Sequence, residues 1–186
     1  SKIADPQASL QEKVSSWKQL SDIYLHRKSS PQDRDLVLAP LKQFVETYIL
    51  SSDLYVHEAL SDRVPVVRGD SLYSIAKKYR TTVDAIQYIN EMRNDTIFPG
   101  MSLKVLNNRI GLFVDKSEFR LWATYGGHFL FEMVCGIGKN NKTPAGTFVI
   151  KNRLKDPDWT RRGKPAIPAG DPRNELGAYW LGFKDT

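Results

Sequence analysis

The chain has 186 residues, of which 41% are apolar, and a formal net charge of +6 at neutral pH. No apolar run approaches the roughly 18 residues that a membrane-spanning helix needs, so the composition predicts one to three small globular domains and no transmembrane segment. The one cysteine excludes an internal disulfide and a cysteine-based zinc site, and the three histidines are scattered along the chain. We therefore predict no metal site.

The positive charge is concentrated toward the C-terminal end. Residues 107–186 contain 13 Lys or Arg against 8 Asp or Glu, whereas residues 1–63 contain 8 against 9. A basic surface favours an anionic partner such as nucleic acid. These cations, however, lie in a stretch rich in Pro, Gly and Asp rather than on one helix or an aromatic platform. We interpret them as a solvated loop face and expect no nucleic-acid partner.

Residues 1–62 are predicted to form a helical module. A first helix is predicted by apolar residues at helical spacing, namely Leu10, Val14, Trp17, Leu20 and Tyr24. Ser30 followed by Pro31 is typical of the start of a second helix. Pro40 is expected to break or kink that helix, because it lacks an amide hydrogen and clashes with the preceding turn. A short third helix is expected around residues 53–60. A packing or spacer role is the simplest interpretation of this module.

Residues 63–106 predict a strand, two helices and a second strand. Residues 64–68 alternate as a strand, and Ser71 is expected to cap a helix whose apolar face is Leu72, Ile75, Ala76 and Tyr79. Thr82 is expected to cap the second helix, which ends at Asn90. A strand over residues 102–106 completes the segment.

This segment resembles the lysin motif (LysM), because Gly-Asp-Ser-Leu occupies its first turn and Ile-x-Pro-Gly precedes its last strand. In that family, glycans containing N-acetylglucosamine lie in a shallow cleft between these two loops, held mainly by backbone groups and apolar contacts. By resemblance, the glycan-binding residues are Gly69, Asp70, Ser71, Leu72, Asn90, Ile97, Pro99 and Gly100. Capping, turn formation and core packing are structural alternatives for them. A turn that presents free amides at a helix start can serve both purposes.

Residues 107–186 are predicted to form mostly strands. Apolar alternation predicts two strands that end and restart around Gly126-Gly127, a pair typical of a two-residue hairpin turn. A regular turn at this point pairs Trp122 with Phe131. Both faces of the hairpin then carry apolar side chains, so we expect cover on both sides, as in a β-sandwich. Two further strands are predicted, over residues 147–153 and 178–183.

Several short motifs in the last third resemble the N-terminal half of an L,D-transpeptidase catalytic domain, a mostly antiparallel β-sandwich. These motifs are Gly136-Ile137-Gly138-Lys139, Lys142-Thr143-Pro144-Ala145-Gly146-Thr147-Phe148, Trp159 and Asn174-Glu175-Leu176-Gly177. The family's His-Gly step and its Ser-x-Gly-Cys-Ile/Val-Arg signature do not occur in residues 107–186. The resemblance therefore implies that the nucleophile lies outside this stretch, that the parent polypeptide is longer, and that these 186 residues alone are inactive.

No residue of the chain is predicted to be catalytic. Cys135 ends an apolar strand, with no histidine within three residues and no following Arg, so we expect a buried and inert thiol. His128 follows the hairpin turn and is expected to face solvent. His26 and His57 belong to the helical region, and none of the three is expected to act as a general base.

These expectations describe a multidomain protein with a helical module (1–62), an α+β LysM domain of βααβ order (63–106) and the first part of an L,D-transpeptidase domain (107–186). The resemblance implies a cysteine acyl transferase that acts on peptidoglycan stem peptides, with the LysM domain holding it on glycan strands and no cofactor. The alternative is a non-catalytic peptidoglycan-binding wall protein. Either function implies the periplasm or the extracellular cell wall. A secretion signal is absent or, since Ser1 is not Met, already removed.

Overall fold

The computed structural model describes residues 1–26, 28–161 and 163–185 of the chain. Arg162 and Thr186, both within the predicted domain 107–186, lie outside the described residues. The chain divides into two compact units, residues 1–136 and residues 137 onward. The domain boundaries drawn from sequence differ from this division and stay a prediction. None of the described helices is both long enough and apolar enough to cross a bilayer.

The described residues combine α-helices with antiparallel sheets. The helices are α1 (Leu10–Leu25), α2 (Pro31–Phe44), α3 (Leu72–Tyr79) and α4 (Val83–Ile89), with short 3-10 turns at Lys2–Ala4 and Lys139–Asn141. The strands are β1 (Asp62–Pro65), β2 (Ser102–Val105), β3 (Ile110–Asp115), β4 (Arg120–Tyr125), β5 (His128–Val134), β6 (Phe148–Lys155) and β7 (Tyr179–Asp185). They form the sheets β1-β2, β3-β4-β5 and β6-β7. The predicted α+β class is confirmed at this coarse level.

The starts of α1 and α2 follow from capping boxes. The Ser9 and Ser30 hydroxyls each accept a backbone amide three residues on, and the carboxylate at that position accepts the serine amide in return. The predicted start at Ser30-Pro31 is confirmed. The predicted break at Pro40 is wrong, because α2 runs through it to Phe44 and passes into a π-helical turn, Val45–Ile49. Pro40 leaves the Leu36 carbonyl without its helical donor, but Leu36 is exposed, so water can bind there.

The short helix predicted around residues 53–60 is also wrong. This segment is irregular, and it closes with an isolated bridge between His57 and Ser61. Local side-chain bonds replace the helical ones: the Ala59 amide donates to His57 Nδ1 at 3.0 Å, and Ser61 Oγ donates to the Tyr55 carbonyl at 3.1 Å. Such local bonds compete with helix formation, which apolar spacing alone does not reveal.

Residues 62–105 form the predicted order of strand, helix, helix and strand. Strands β1 and β2 pair antiparallel, with Val64 opposite Leu103, and helices α3 and α4 connect them. Ser71 and Thr82 cap the two helices through their hydroxyls, and Asn90 ends the second, as expected. A small apolar core lies between helices and strands, and it contains Val64, Val66, Leu72, Ile75, Ala76, Ile86, Leu103 and Val105.

The β4–β5 hairpin turns at Gly126-Gly127, whose φ angles of 58° and 89° are those of the predicted turn. The predicted pairing of Trp122 with Phe131 is wrong, because Trp122 pairs with Glu132. The register shifts between Ala123 and Thr124, where Leu130 forms a β-bulge. The bulge allows the adjacent residues Phe129 and Leu130 both to be buried, whereas strict alternation would place them on opposite faces.

Helices α1 and α2 cover one face of the β3-β4-β5 sheet. The indole of Trp17 donates to the Phe129 carbonyl at 2.9 Å, and the Phe129 amide donates to Ser21 Oγ at 3.0 Å, so α1 is hydrogen-bonded directly to β5. Phe44 stacks on Trp17, with ring centroids 5.0 Å apart. Glu132 of β5 contacts Tyr24 of α1, whereas its neighbour Met133, on the opposite face, is 51% exposed. Within residues 1–136 the sheet is therefore covered on one face, and the predicted cover on the other face stays a prediction.

The second unit is built on the β6–β7 pair. A bulge at Lys151 shifts the register between Ile150 and Asn152, which pair with Phe183 and Gly182. A Cβ at Gly182 would lie 2.0 Å from the Asn152 carboxamide oxygen, so any other residue there would displace the Asn152 side chain. The strands predicted over residues 147–153 and 178–183 are present with shifted ends.

Candidate functional site

Two loops of the βααβ segment lie side by side. The Val66 amide donates to the Met101 carbonyl at 2.8 Å, and the Gly100 amide donates to the Val66 carbonyl at 3.0 Å. These bonds extend the β1–β2 pairing by one step and bring the turn before α3 next to the loop before β2. Residues 69–72 and 97–100, which the sequence assigned to one site, therefore come together.

A glycine stands in each loop with its backbone in the left-handed region. Gly69 has a φ of 95° and Gly100 a φ of 94°, conformations that L side chains rarely adopt. A Cβ built on either glycine meets no atom within 4 Å. Backbone conformation rather than crowding therefore selects glycine, and both positions leave the main chain open to a ligand.

The polar side chains of the first loop are engaged within the protein. Asp70 accepts the Val67 amide at 2.9 Å, and Ser71 accepts the Ser74 amide at 3.1 Å. Both contacts hold the turn that begins α3, so the capping role expected for Ser71 is observed. What this turn can offer a ligand is mainly backbone, because the first amides of an α-helix have no acceptor within the helix.

Leu72 and Asn90 are placed differently from the other predicted residues. Leu72 is buried in the apolar core of the segment. The Asn90 carboxamide is fully engaged, since Oδ1 accepts the Lys104 amide and Nδ2 donates to the Lys104 and Ile86 carbonyls, all at 2.8 Å. The structure thus gives these two side chains packing and bracing contacts, while Ile97 is half-buried and Pro99 is exposed.

Two exposed aromatic side chains border the loops and were missed by the sequence analysis. Tyr73 directly follows Leu72 and is 71% exposed, and Phe98 lies between Ile97 and Pro99 and is 64% exposed. Aromatic rings pack well on the apolar faces of sugars, and they bury a large area at little entropic cost. The sequence does contain a signal for Tyr73. It is an aromatic residue outside the apolar face that the helical spacing defines for α3, so exposure of its ring could have been predicted.

The arrangement is suited to binding rather than to bond breaking. It combines two glycines without side-chain cover, a helix start and exposed aromatic rings. Across residues 1–26, 28–161 and 163–185, no cluster of three or more His, Cys, Asp or Glu could hold a metal ion. An uncharged polar ligand with apolar faces fits these features.

In the second unit, one asparagine organises the loop between β6 and β7. Asn174 Nδ2 lies within hydrogen-bonding distance of the carbonyls of Pro157, Ile167 and Pro168, at 2.9, 3.3 and 3.2 Å. Its Oδ1 accepts the Leu176 amide at 3.0 Å. Trp159 and Ile167 exchange two backbone hydrogen bonds, so residues 157–159 are bonded to residues 167–176.

Comparison with known families identifies both segments. A family model of the LysM domain matches residues 65–106. A family model of the L,D-transpeptidase catalytic domain matches residues 109–185. The chain carries a LysM domain followed by L,D-transpeptidase catalytic-domain sequence. The two resemblances found in the sequence are thereby confirmed, and the paired loops are those of the LysM domain.

Curated relatives match parts of the chain. The probable peptidoglycan endopeptidase LytE of Bacillus subtilis is 33% identical over 57 residues, which are 31% of this chain and 17% of LytE. The probable autolysin SsaALP of Staphylococcus aureus is 42% identical over 50 residues, 26% of this chain and 19% of that protein. The N-acetylmuramoyl-L-alanine amidase sle1 of Staphylococcus epidermidis is 55% identical over 40 residues, 22% of this chain and 12% of the amidase. The matched part spans less than a fifth of each relative.

Within the transpeptidase-like segment, the cysteine and the nearest histidine in sequence cannot act together. Cys135 and His128 stand at opposite ends of β5, and seven residues of extended chain place them roughly 20 Å apart. Cys135 is half-buried rather than buried as expected, because it lies just past the end of β5, where its amide donates to the Phe119 carbonyl at 2.8 Å.

His128 is half-buried rather than facing solvent as expected. Its ring lies edge-on to Trp17, with centroids 5.1 Å apart, because the hairpin turn is folded against α1. Burial lowers the pKa of His128. Its Nδ1 is enclosed, and the ring packs against Trp17. Both nitrogens of His57 are engaged, with Gln11 and the Ala59 amide, which also speaks against a free base there.

Proposed function

We propose that this chain is part of a peptidoglycan-binding L,D-transpeptidase, in which the LysM domain holds the enzyme on glycan strands while the catalytic domain acts on stem peptides. The observation that carries the binding half is the pairing of Val66 with Gly100 and Met101, which joins the two predicted glycan loops into one surface. The catalytic half rests on the family match over residues 109–185.

The binding chemistry follows from what the loops expose. The backbone of Gly69 and the carbonyl of Gly100 can exchange hydrogen bonds with hydroxyl and acetamido groups, while Pro99 and the exposed rings of Tyr73 and Phe98 can cover sugar faces. Asp70, Ser71 and Asn90 act indirectly, because their side chains already hold the loops in shape. Few directed contacts on a shallow surface give weak binding for one domain. Attachment to the wall would then concentrate the enzyme near its stem-peptide substrates.

The experiment for the binding half is a titration of the isotope-labelled intact chain with N-acetylglucosamine oligomers, followed by NMR. We expect shifts at millimolar sugar that concentrate in residues 69–73 and 97–100. Pro99→Ala keeps the backbone bonds and removes a ring from the surface, so it should weaken the titration. Pro172→Ala, an exposed proline in the second unit, is the matched control. Absence of shifts, or shifts confined to other regions, refutes the proposal.

The proposed acyl transfer has two steps. A cysteine thiolate attacks the carbonyl of the diamino acid in a stem tetrapeptide, the amide bond to the terminal D-alanine breaks, and the leaving amine takes a proton. An acceptor amine then attacks the thioester and releases the thiol. Residues 1–186 are proposed to be inactive alone, since Cys135 has neither a nearby histidine nor the family signature. D-Alanine release by the longer parent, together with none from these residues, is the expected result.

A non-catalytic wall-binding protein is the second candidate. It is favoured by the separation of Cys135 from His128, which leaves residues 107–161 and 163–185 without a cysteine–histidine pair. The same assay separates the two functions. A parent protein that binds N-acetylglucosamine oligomers but releases no D-alanine from a stem tetrapeptide would be a binding protein, whereas release that depends on a cysteine in a Ser-x-Gly-Cys context would identify the enzyme.

Domain organisation and location belong to the same proposal. We infer a helical module over residues 1–62, a LysM domain over 63–106 and the N-terminal part of the catalytic domain over 107–186, the last with the mostly antiparallel β-sandwich of its family. Glycan strands and stem peptides are the proposed partners, and the periplasm or the extracellular wall is the proposed location. The wall-enzyme names of LytE and SsaALP support an activity at peptidoglycan.

A further inference from the structure

One buried lysine connects the LysM domain to the helices that precede it. Lys104 lies on β2 and is 2% exposed, which makes it the only buried charged residue in the part of the chain that the structure describes. Lysine is almost never fully buried unless its ammonium finds partners. Its environment therefore has to supply hydrogen-bond acceptors.

The acceptors are three backbone carbonyls from the segment that follows α2. The Lys104 ammonium donates to the carbonyls of Tyr48, Ser51 and Asp53, at 3.1, 2.8 and 2.8 Å. An ammonium group has three N–H donors, so its donor capacity is used completely. The last carbonyls of a helix lack an N–H donor within the helix and carry partial negative charge. Lys104 thus caps the C-terminal end of the π-helical turn Val45–Ile49 from a different domain.

The other side of Lys104 is fastened to α4. Its backbone amide and carbonyl are both bound by the Asn90 carboxamide at 2.8 Å. Nearby, Ser52 Oγ donates to the Glu91 carboxylate at 2.8 Å and forms a second link between the same two segments. A continuous chain of hydrogen bonds therefore runs from the end of the helical segment through Lys104 to the end of α4.

The apolar packing crosses the same boundary. Ile89, at the end of α4, and Leu106, just past β2, are buried with the core of α1 and α2 rather than with the small LysM core. The other end of the boundary is closed by Tyr125, whose hydroxyl donates to the Leu60 carbonyl at 2.6 Å and accepts the Asn107 amide at 2.8 Å. Polar and apolar contacts together join the LysM domain to its neighbours within residues 1–136.

We propose that Lys104 is an internal lock that fixes the LysM domain to the N-terminal helices, so that residues 1–136 unfold as one cooperative unit rather than as separate modules. Losing the ammonium leaves three carbonyls in an enclosed site without a donor, and such groups are costly to leave unpaired. The consequence is that the glycan loops have a fixed orientation relative to the helices, instead of moving on a flexible tether.

The test is native-state hydrogen exchange of the intact chain, measured by NMR. In the wild-type protein, the slowest amides of α1 and α2 should exchange through the same global opening as those of α3 and β2. Lys104→Met keeps the aliphatic bulk of the side chain. In this variant the amides of α1 and α2 should no longer exchange through the same opening as those of α3 and β2. Amides of residues 45–53 should then exchange faster by about tenfold or more while α3 stays protected. Lys77→Met, at an exposed lysine of α3, is the matched control and should leave both groups together.

Two outcomes would overturn the lock. The first is a wild-type protein whose helices and LysM domain already open independently, and the second is Lys104→Met with the wild-type exchange pattern. If Lys104→Met does not fold, the wild-type exchange pattern still decides, together with direct NMR observation of the Lys104 ammonium protons. Protons that exchange slowly support the lock, because a bonded and buried ammonium is shielded from water. Protons that exchange as fast as those of Lys77 contradict it.

Discussion

The side-chain amide of Asn90 pairs with the backbone of Lys104 as a neighbouring strand would. Its carboxamide accepts the Lys104 amide and donates to the Lys104 carbonyl, both at 2.8 Å, on the edge of β2 that faces away from β1. A third bond ties the same carboxamide to the Ile86 carbonyl. One side chain thereby satisfies the backbone of a two-stranded sheet at its open edge and joins that edge to α4.

Asn90→Ala should lower the free energy of unfolding of residues 1–136 by about 1–3 kcal/mol, because it leaves enclosed backbone groups without partners. Chemical denaturation measures the loss. Asn94→Ala is the control, since the exposed Asn94 side chain accepts only the Thr96 amide. A variant with unchanged stability that no longer responds to N-acetylglucosamine oligomers would instead make Asn90 a direct ligand contact.

The titration of Lys104 should be visible in the dependence of stability on pH. Burial lowers the pKa of Lys104 to about 8, with the Asp53 carboxylate acting in the opposite direction. The unfolded chain then holds the proton more tightly than the folded one between pH 8 and the ordinary lysine value. The contribution of this group to stability therefore increases as pH rises through that window.

The measurement is an NMR titration of the Lys104 side chain, combined with denaturation curves at several pH values. Lys104→Met should lack the increase, and comparing the two proteins removes the effects of neighbouring groups. Those neighbours are Asp53, Lys13, Glu91 and the phenols of Tyr48 and Tyr55, and burial raises the pKa of Tyr55. A Lys104 midpoint near that of an exposed lysine, or equal pH dependence in both proteins, would contradict the assignment.

The sequence predicted what depends on short-range signals. A hydroxyl residue placed before an apolar pattern predicts a helix start, and this signal occurs at Ser30, Ser71 and Thr82. All three residues cap helices in the structure. The pair Gly126-Gly127 likewise predicted a hairpin turn, and both residues have the positive φ angles of that turn. The LysM pattern fixes the spacing of the two loops proposed to bind glycan, while the binding role of their residues stays a prediction. Each of these features is determined by residues that are close together in the sequence.

The failures involve contacts between distant segments. The bulge at Leu130 exists because Phe129 and Leu130 are both buried, beside Trp17 and Ser21 more than a hundred residues earlier. No local pattern encodes it, so the predicted register was wrong. The burial of Lys104 was not predicted, since the three carbonyls that accept from its ammonium lie about fifty residues before it in the chain. Pro40 was expected to break or kink the second helix; the break is wrong, because α2 runs through Pro40 to Phe44, with Leu36 exposed to solvent and Leu41 and Phe44 buried, while a kink stays a prediction.

Tyr125→Phe should weaken the junction between β4 and the preceding segments. The fully buried hydroxyl donates to the Leu60 carbonyl and accepts the amides of Asn107 and Asn108. Removing it deprives three backbone groups of a partner at almost constant volume, and we expect a loss of about 1–3 kcal/mol in unfolding free energy. Tyr88→Phe, at a tyrosine that is 71% exposed, should have almost no effect. Equal effects of the two substitutions would show that the hydroxyl network contributes nothing specific.

Cys135→Ser should leave the acyl-transfer activity of the longer parent protein within about twofold of the wild type, because the change touches no group that acts on substrate. The reason is positional: Cys135 is held just past β5 by its backbone bond to Phe119, and His128 lies at the far end of the same strand. D-Alanine release from a stem tetrapeptide measures the activity, and thermal denaturation verifies that the variant is folded. A folded Cys135→Ser protein without activity would identify Cys135 as the nucleophile and overturn both the assigned role and the proposed location of the catalytic cysteine outside these residues.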